Sequence, residues 1–556
     1  MSTIGQYIST RLQQIGVNDY FVVPGDFNLV LLDEMLLNKN LNMISCCNEL
    51  NAGYAADGYS RANGNSALVV TYGVGGLSAI NAVAGAYAED LPMIVISGGP
   101  NSNTNSAHQT LHHTIGLHDH QYVRDMYLKV TASAVIINDV QTAAYLIDTA
   151  IAVAIRQQKP VYIEIACNLA NATIPPAQPL SFARTVTSDK QSLVAAVDSA
   201  AKMLNLSQKP TLVAGVKLRT ALAINAMKTL IDAAGYGWAV MPNAKGFFDE
   251  TQTDYLGVYW GSISSPGCAG IIESSDAYLF AGPTFTDYTT TGYSLVISPK
   301  KSIIARTDHV VVAGVVFNQV FLADFLTALA RKIKPNPASS QAFKRIKEES
   351  IDPNRSDTDL IQVRSLFAHI ERMLDDKSSL IIETGDSWFN GMCLNLPKGC
   401  QYEFQMQYGS IGWSTAATLG YAVATKNLRR VISCIGDGSF QLTAQEVANI
   451  IRYKLNPIIF LINNHGYTIE VEIHDGPYNN IKNWNYSELI QVFNADDGHA
   501  WGCQVKTEGE LKKAIQHALS NKQLSFIEVI VDRHDCNKNL MVWGAKVAAN
   551  NSLAPK

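Results

Sequence analysis

The sequence predicts an α/β protein built from three open domains with mainly parallel sheets. Apolar strand-like segments alternate with helix-like segments along the chain, as at 67–71, 93–97, 211–215 and 277–281. This alternation is typical of βαβ units, in which the strands lie parallel. Two linkers rich in proline, 171–179 and 332–340, separate three such regions. We therefore predict domains at residues 1–178, 179–345 and 346–556.

Composition excludes several classes of protein. The 556 residues carry a formal net charge of -5, and no basic run indicates nucleic-acid binding. No apolar segment is long enough to cross a bilayer, and the apolar positions from Ile4 to Ile15 predict a helix, after a capping box at Thr3 and Gln6, rather than a signal peptide. The nine cysteines include no Cys-x-x-Cys pair. We therefore expect reduced thiols, a cytoplasmic protein, and neither a nucleic-acid nor a membrane partner.

The segment from Gly436 to Asn464 carries the clearest functional signal. A strand-like run, 430–435, leads into Gly436-Asp437-Gly438, which we interpret as a tight turn. A helical pattern at 444–454 and a second apolar run at 457–462 follow, and the latter ends at Asn463-Asn464. Ligands of open parallel sheets bind at the carboxyl ends of the strands. Glycines let the backbone approach a bulky anion there, and Asp437 and Asn464 offer oxygen ligands for a cation that bridges phosphates.

This arrangement resembles the thiamin-diphosphate motif, which begins with Gly-Asp-Gly and ends with Asn-Asn. The resemblance implies that Asp437, the side chain of Asn464 and the backbone carbonyl of Gly466 hold Mg²⁺ against the diphosphate. Further segments resemble the thiamin-diphosphate-dependent 2-oxo acid decarboxylases, pyruvate decarboxylase among them, so that the similarity covers essentially the whole chain. These segments are 23–29, 46–51, 111–113, 383–390, 436–446 and 473–484.

The resemblance implies the architecture and activity of that family. The three domains would be a pyrimidine-binding, a middle and a diphosphate-binding domain. The reaction would be non-oxidative decarboxylation of pyruvate to acetaldehyde and carbon dioxide through a thiamin-bound enamine, with side carboligation onto an aldehyde. The assembly would be a homotetramer, a dimer of dimers, in which Glu49 of one chain faces the partner's Asp437.

Five residues are the expected catalytic groups. Taken alone, Glu49 is typical of an acid at a helix start and Asp26 of an ordinary helix cap. The resemblance instead implies that Glu49 lies beside N1′ of the aminopyrimidine and that Asp26 enters the active site. It also assigns proton transfer to His112 and His113, for which histidine suits because its pKa lies near working pH. Glu470 completes the set, because the family's glutamate directly follows Thr-Ile.

The histidine-rich segment 108–120 leaves two alternatives open. His108, His112, His113, His118 and His120 all fall within it. With Asp119 they could form a zinc site, although the segment has neither cysteine ligands nor the i, i+4 pairing of a zincin helix. A surface loop with incidental histidines is the other alternative. Beyond the pair His112-His113, we expect these histidines to be polar loop residues.

The resemblance also implies the residues that hold the cofactor and substrate. The backbone of Gly409 and the side chain of Ile411 would keep the cofactor bent, although 408–413 is equally typical of a turn before the helix expected near Ser414. The cofactor contacts implied are Glu49, Thr384, Asp386, Gly409, Ile411, Gly436, Asp437, Gly438, Ser439, Asn464, Gly466, Tyr467, Thr468 and Ile469.

The substrate pocket is expected to be small. The residues implied to line it are Tyr288, Trp388, Ile469 and Ile473. Their bulk would exclude larger side chains by overlap, which favours pyruvate over aryl-pyruvates. A core tryptophan at 388 without substrate contact is the alternative.

One departure and three rival functions remain. Relatives activated by their own substrate carry a cysteine near the start of the middle domain, whereas 212–219 has none, so we expect hyperbolic kinetics.

The rival functions are another thiamin enzyme (an aryl-pyruvate decarboxylase or a carboligase), a nicotinamide dehydrogenase suggested by 73–76, and a non-enzymatic thiamin carrier. The C-terminal segment 542–550 fits either a lid or a capping helix.

Overall fold

Three large sheets organise the protein, which confirms the α/β class. The computed structural model describes residues 1–104, 107, 109–182, 186–346 and 355–552, so His108 lies outside the described residues. Each sheet lies within one segment of the chain: 19–166, 210–318 and 378–530. A short two-stranded ribbon pairs Ser2–Thr3 with Thr173–Ile174.

The first sheet has six parallel strands covered by helices. In sheet order the strands are Asn42–Ser45, Asp19–Val22, Ser66–Thr71, Met93–Gly99, Val161–Ala166 and Ser133–Ile137. The helices are Ile4–Gln14, Leu29–Leu36, Glu49–Asn63, Val74–Ala88, Tyr122–Tyr127 and Val140–Gln157. The first of these helices begins with the capping box expected at Thr3 and Gln6.

The second sheet has seven strands, of which the sixth pairs antiparallel with both the fifth and the seventh. In sheet order they are Tyr255–Val258, Gly237–Val240, Pro210–Ala214, Ala277–Ala281, Ser302–Ala305, His309–Val312 and Val315–Asn318. Its α-helices are Lys190–Leu206, Lys217–Thr220, Ile224–Ala234, Cys268–Glu273, Leu322–Ala330 and Ala338–Lys344.

The third sheet repeats the strand order of the first. Its parallel strands, in sheet order, are Gln401–Phe404, Ser378–Ile382, Arg430–Gly436, Ile458–Asn463, Ser525–Ile530 and Trp501–Val505. Numbered along the chain within each sheet, the strands of both follow the order 2-1-3-4-6-5. The helices are Val363–Met373, Asp386–Met392, Trp413–Thr425, Asp437–Thr443, Val447–Arg452, Thr468–Ile473, Leu489–Asn494, Glu508–Ser520 and Lys538–Asn551.

Two helices join the first and third sheets. Helix Glu49–Asn63 packs across helix Trp413–Thr425, and small residues let the backbones touch. A Cβ added to Gly58 would lie 2.2 Å from the carbonyl oxygen of Ala417. Because Glu49 begins one helix and Gly409 precedes the other, this contact fixes the framework on which both lie.

The expected turn at Gly436-Asp437-Gly438 is wrong in detail. Gly436 is extended (φ -73°, ψ 152°), and Asp437 already begins helix Asp437–Thr443. An acid in the first helical turn interacts favourably with the N-terminal end of the helix dipole, which accounts for a helix starting here. None of the described helices combines the length and hydropathy needed to cross a bilayer. All nine cysteines are free thiols.

Candidate active site

The residues expected to bind the diphosphate meet at one edge of the third sheet. Asp437 follows strand Arg430–Gly436, and Asn464 follows the neighbouring strand Ile458–Asn463. Thr384 and Asp386 follow strand Ser378–Ile382, which pairs on the other side of Arg430–Gly436. These are the carboxyl ends of three adjacent parallel strands, next to the point where the strand order reverses.

At this edge the Asn464 side chain lies within about 3 Å of two other oxygen atoms, the separation of neighbouring ligands of one small cation. The side-chain amide of Asn464 allows two orientations. In one of them Oδ1 faces the carbonyl oxygen of Gly466 at 2.9 Å and Asp437 Oδ1 at 3.1 Å; in the other, the amide nitrogen donates to both. Neighbouring ligands of an octahedral Mg²⁺, each at about 2.0–2.1 Å from the ion, lie about 3 Å apart. A cation therefore selects the first orientation, and this donor set fits Mg²⁺.

The protein holds the Asp437 carboxylate in place. Its Oδ1 accepts a hydrogen bond from the Gly438 amide at 2.8 Å and its Oδ2 one from the Gly466 amide at 3.2 Å. Burial raises the pKa of Asp437 to about 6, and the backbone hydrogen bonds act in the opposite direction. A buried acid with no cationic side chain among these contacts is a good ligand for a divalent ion, because the ion compensates the charge.

The glycines of the loop are required by close approaches. A Cβ on Gly438 would lie 2.4 Å from the ring of Tyr467, and one on Gly466 would lie 2.5 Å from the carbonyl oxygen of Asn479. Gly466 also has a φ of 154°. By contrast, a Cβ on Gly436 would meet no atom within 4 Å, so open space lies beside it. These glycines bring Tyr467 and the carbonyl of Gly466 to the edge at which Asp437 lies.

The remaining diphosphate-side residues surround the same edge. Ser439 and Thr468 are buried, and the Thr468 hydroxyl bonds the Asn464 side chain. The Thr384 hydroxyl oxygen is buried and has no hydrogen-bond partner among the described residues, as expected of a group that binds a phosphate oxygen. Asp386 accepts hydrogen bonds from the Asn537 amide (2.9 Å) and the Asn390 side chain (2.7 Å), and burial raises its pKa to about 7. Its carboxylate thus anchors the start of the C-terminal helix.

Asp26, His112 and His113 form one cluster, although 86 residues separate Asp26 from His112. His112 Nε2 lies 2.5 Å from Asp26 Oδ2, and His113 Nε2 lies 3.4 Å from Asp26 Oδ1. Burial alone would raise the pKa of Asp26, but the hydrogen bond from His112 and the charges of both histidines lower it overall. The ring of Phe27 stacks on His112 at 4.9 Å, a contact that sequence analysis missed.

The residues around this cluster can be compared with the two alternatives for the histidine-rich segment, a zinc site that includes Asp119 and a surface loop. Asp119 does not join it and instead accepts the Gln121 amide at 2.9 Å. His120 is buried and lies 3.1 Å from the carbonyl of Gln109. Asp26 is not the helix cap either, since helix Leu29–Leu36 begins after Asn28. The cluster therefore forms around Asp26, not around Asp119.

Glu49 begins helix Glu49–Asn63, and a buried glutamate from the third sheet region supports the residues around it. Glu446 is fully buried, and its Oε2 accepts the Cys47 amide at 3.2 Å and the Asn51 side chain at 2.9 Å. The Glu49 side chain lies over Gly75, where an added Cβ would be 3.1 Å from Oε1. Glu446 ends the segment 436–446 that resembles the family, but its residue type and position in the sequence predict no role for it.

The expected pocket residues converge from three parts of the chain. Trp388 is fully buried, and its ring centroid lies 6.0 Å from that of Tyr288. A Cβ on Gly409 would lie 3.5 Å from Trp388 and 3.8 Å from Tyr288, which places the Gly409 backbone against both rings. Ile469 and Ile473 pack against the same apolar cluster. Trp388, Tyr288 and the Gly409 backbone are therefore in contact, and Ile469 and Ile473 belong to the same extended apolar cluster.

The C-terminal helix Lys538–Asn551 closes one side of this region. The Trp543 ring lies 4.9 Å from that of Tyr288 and 5.5 Å from that of Phe389. The helix also packs on Thr468–Ile473, the helix that carries Glu470. Glu470 is exposed, and burial together with the charges of Asp287 and Glu470 raises the pKa of Tyr288. Glu470 thus lies near the pocket.

Comparisons with known proteins show the family to which the chain belongs. The chain matches the profiles "Thiamine pyrophosphate enzyme, N-terminal TPP binding domain" at 2–122, "central domain" at 197–330 and "C-terminal TPP binding domain" at 387–529. It is 52% identical over 561 residues to pyruvate decarboxylase 2 of Arabidopsis thaliana, covering 100% of this chain and 92% of that protein. Identity is 50% over 560 residues to pyruvate decarboxylase 2 of Oryza sativa subsp. japonica and 49% over 561 residues to pyruvate decarboxylase 1 of Zea mays, with the same coverage. The chain therefore belongs to the pyruvate decarboxylase family of thiamine pyrophosphate enzymes.

Proposed function

We propose that this protein decarboxylates pyruvate non-oxidatively to acetaldehyde and carbon dioxide, with thiamin diphosphate and Mg²⁺ as cofactors. The proposal is carried by three oxygen atoms: Asp437 Oδ1, Asn464 Oδ1 and the carbonyl oxygen of Gly466. Their spacing around Asn464 suits Mg²⁺, and they lie at the sheet edge where a diphosphate binds. Relatives named pyruvate decarboxylase, matched over 100% of this chain and 92% of their own length, support the choice of substrate.

The proposed roles of the cofactor-binding residues follow from their positions. When bound, thiamin diphosphate supplies the electron sink that loss of carbon dioxide from a 2-oxo acid requires. Asp437, Asn464 and Gly466 hold the metal, and the Thr384 hydroxyl donates to a phosphate oxygen. Glu49 holds a proton at N1′ of the aminopyrimidine. Gly409 and Ile411 orient the two rings, and the residues listed next complete the binding surface: Asp386, Gly436, Gly438, Ser439, Tyr467, Thr468 and Ile469.

Proton transfer to the product falls to the cluster around Asp26. Its lowered pKa keeps this carboxylate charged, and Asp26 Oδ2 orients the His112 ring through the contact with Nε2. His113 shares the same carboxylate through Oδ1. Glu470, on the helix that also carries Ile469 and Ile473, faces the substrate carboxylate from the other side.

We propose that Tyr288, Trp388, Ile469 and Ile473 restrict the substrate side chain to about the size of a methyl group. We also propose side carboligation when an aldehyde is present.

The nicotinamide dehydrogenase alternative loses its support because Gly73 is explained by its contact with the histidine loop rather than by a dinucleotide. A Cβ there would lie 1.8 Å from the carbonyl oxygen of His113, so this glycine admits the loop of the histidine pair.

We further propose the assembly and the division of the chain. The protein forms a homotetramer, a dimer of dimers, in the cytoplasm, and Glu49 serves the cofactor held by the partner's Asp437. The domains are 1–178, 179–345 and 346–556, in keeping with the three sheets, each of which lies within one segment. Light scattering at several protein concentrations tests the assembly.

The function is tested by acetaldehyde formation from pyruvate with thiamin diphosphate and Mg²⁺, coupled to alcohol dehydrogenase. Turnover that disappears when metal and cofactor are removed supports the proposal. Turnover of phenylpyruvate or indolepyruvate alone would keep the chemistry and overturn the pocket assignment. Bound cofactor without turnover of any 2-oxo acid would favour a carboligase or a thiamin carrier.

A further inference from the structure

One face of helix Val74–Ala88 docks the loop that contains Gly409. Asn81, Gly85 and the C-terminal cap Glu89 are four residues apart, so they lie in a row along the helix. Residues 405–410 of the third region lie against this row. Contacts from the first region of the chain thus reach a loop that lies more than three hundred positions later.

Asn81 holds the residues on both sides of Gly409. Its Oδ1 accepts a hydrogen bond from the Tyr408 hydroxyl at 2.8 Å. Its Nδ2 donates to the Tyr54 hydroxyl at 3.0 Å and lies 3.4 Å from Ser410 Oγ. The Tyr54 and Ser410 hydroxyls are themselves 2.6 Å apart. A single carboxamide therefore connects the residue before Gly409 with the residue after it.

The other two positions of the row complete the docking. Gly85 leaves room for the loop, since a Cβ there would lie 2.8 Å from Gln405 Nε2 and 3.2 Å from Tyr408 Cδ1. Gln405 in turn accepts the Ser410 amide at 2.8 Å through Oε1. Glu89 Oε1 accepts the Gln407 amide at 2.8 Å.

Gly409 needs such external support. It has a φ of 63°, in the left-handed region, and glycine by itself populates many other conformations. The direction of its carbonyl is therefore set by the residues that flank it. Those residues are fixed by Tyr54 and Asn81, and Tyr54 lies on the helix that begins with Glu49.

We propose that Asn81 is a positioning residue that, with Tyr54, fixes the Gly409 backbone for its contact with the aminopyrimidine ring. The proposal rests on the proposed function for its chemical meaning. Asn81 does not touch the reacting atoms and acts through Tyr408 and Ser410.

The experiment compares Asn81→Leu and Tyr54→Phe with the parent and with Asn225→Leu. Asn225 is a matched control, because it is an exposed helical asparagine in the middle region with no side-chain hydrogen bond in the described structure. The first readout is backbone hydrogen–deuterium exchange of peptides spanning 404–412 in the cofactor-free protein. The second is the rate at which the C2 proton of bound thiamin diphosphate exchanges, measured by NMR after acid quench.

Asn81→Leu is expected to speed amide exchange in 404–412 and to slow C2-proton exchange and kcat by about 10- to 100-fold, as displacement of a group by about 1 Å does. Tyr54→Phe is expected to give the same pattern with a smaller change, and Asn225→Leu none. Unchanged amide exchange in both variants would overturn the proposal. So would a fall in kcat with normal C2-proton exchange.

Failure of the loop-docking proposal can be distinguished from failure of the proposed decarboxylase function. Amide exchange of the cofactor-free chain reports on the docking of the loop whether or not pyruvate is the substrate. If the loop loosens in Asn81→Leu while the parent decarboxylates no 2-oxo acid, the proposed function fails and the docking stands. If the parent turns over pyruvate and the loop is unaffected, the reverse holds.

Discussion

Gly420 and Ala55 meet backbone to backbone where the first and third regions of the chain pack together. A Cβ added to Gly420 would lie 1.7 Å from the carbonyl oxygen of Ala55. Gly420 lies on helix Trp413–Thr425 and Ala55 on helix Glu49–Asn63. These helices also carry Trp413, whose indole donates to Asp57 at 2.9 Å. The approach of the two helices therefore depends on the absence of a side chain at 420.

Gly420→Ala is expected to be severely destabilising, because the added methyl group meets backbone that no rotamer change can move. We expect a loss above about 4 kcal/mol, more than the roughly 1–3 kcal/mol that is typical of core overpacking, because the clash is with backbone. Soluble yield and the midpoint of thermal unfolding measure it.

Gly270→Ala is the matched control for that substitution. Gly270 also lies within a helix, Cys268–Glu273, but a Cβ there would meet no atom within 4 Å. We expect it to leave the midpoint unchanged or raise it slightly, since alanine restricts the unfolded chain. Equal effects of the two substitutions would contradict the steric explanation.

Hydrophobic pattern alone predicted several of the buried parallel strands. The segment 277–281 coincides with strand Ala277–Ala281, and 67–71 differs from strand Ser66–Thr71 by one residue. Buried parallel strands are continuous apolar runs, so their position is encoded locally. The start of helix Asp437–Thr443 was missed because Gly-Asp-Gly favours a turn locally, whereas the packing of Phe440 into the core favours a helix.

Contacts between distant polar residues could not be predicted from the sequence. Asn81 and Tyr408 are 327 positions apart, and Asn81 is an exposed residue on a helix of small residues, so nothing local marks it as a contact. The resemblance supplied Asp26, His112 and His113 as separate residues, and only the fold brings them into one cluster. Glu446 was missed for the same reason, because its partners Cys47 and Asn51 belong to another sheet region.

Asp437→Asn is expected to weaken Mg²⁺-dependent binding of thiamin diphosphate by at least about 100-fold, because loss of an outer partner of a metal ligand already costs about 10–100-fold. The substitution keeps the size of the side chain and removes the charge that the ion compensates. Quenching of tryptophan fluorescence during titration with the cofactor measures it. Asp232→Asn, on an exposed helical face, is the control, and removing metal from the parent with EDTA should reproduce the defect. Cofactor affinity that survives both treatments would contradict the metal assignment.

Trp388→Ala is expected to admit phenylpyruvate and indolepyruvate while lowering kcat/KM for pyruvate, because the ring that fills the pocket beside Tyr288 is removed. Such a truncation also costs about 3–5 kcal/mol of stability, so assays belong well below the unfolding midpoint. Trp238→Ala is the control, since Trp238 is equally buried but packs on Phe248 and Tyr255 in the second sheet region. Failure of Trp388→Ala to gain activity on either larger acid would count against the pocket assignment.

Initial rates are expected to depend hyperbolically on pyruvate concentration, with a Hill coefficient of about 1. Activation by a substrate adduct needs an accessible thiolate. Cys268 is the single cysteine between residues 179 and 345; it is fully buried, and burial followed by the charge of Glu273 raises the pKa of its thiol. In the segment 212–219, where substrate-activated relatives are expected to carry a cysteine, Lys217 begins a helix and forms an ion pair with Asp90. A Hill coefficient clearly above one would contradict this prediction, and its loss in Cys268→Ala would identify Cys268 as the activating thiol.

The stability of the protein is expected to fall as pH rises from about 4.5 to 7, in part because of Glu164. This residue is 3% exposed, and burial raises its pKa from 4.5 to about 7, against the opposing effects of the Tyr162 hydroxyl at 2.8 Å and of Arg124. In that pH window the folded protein binds a proton that the unfolded chain has released. The free energy of unfolding therefore decreases with increasing pH.

Glu164→Gln removes this dependence, because the amide is neutral at every pH and can still accept from Tyr162. At pH 8 the variant is expected to be more stable than the parent by on the order of 3 kcal/mol, since each pKa unit is worth about 1.4 kcal/mol. At pH 5 the carboxyl is protonated in the folded parent but mostly ionised in the unfolded chain, so the difference should fall to about 1 kcal/mol. Thermal unfolding at both pH values measures the effect, with the exposed Glu488→Gln as control. A stability difference of the same size at pH 5 and pH 8 would show that Glu164 is not the group that titrates, because a neutral packing change has no reason to depend on pH.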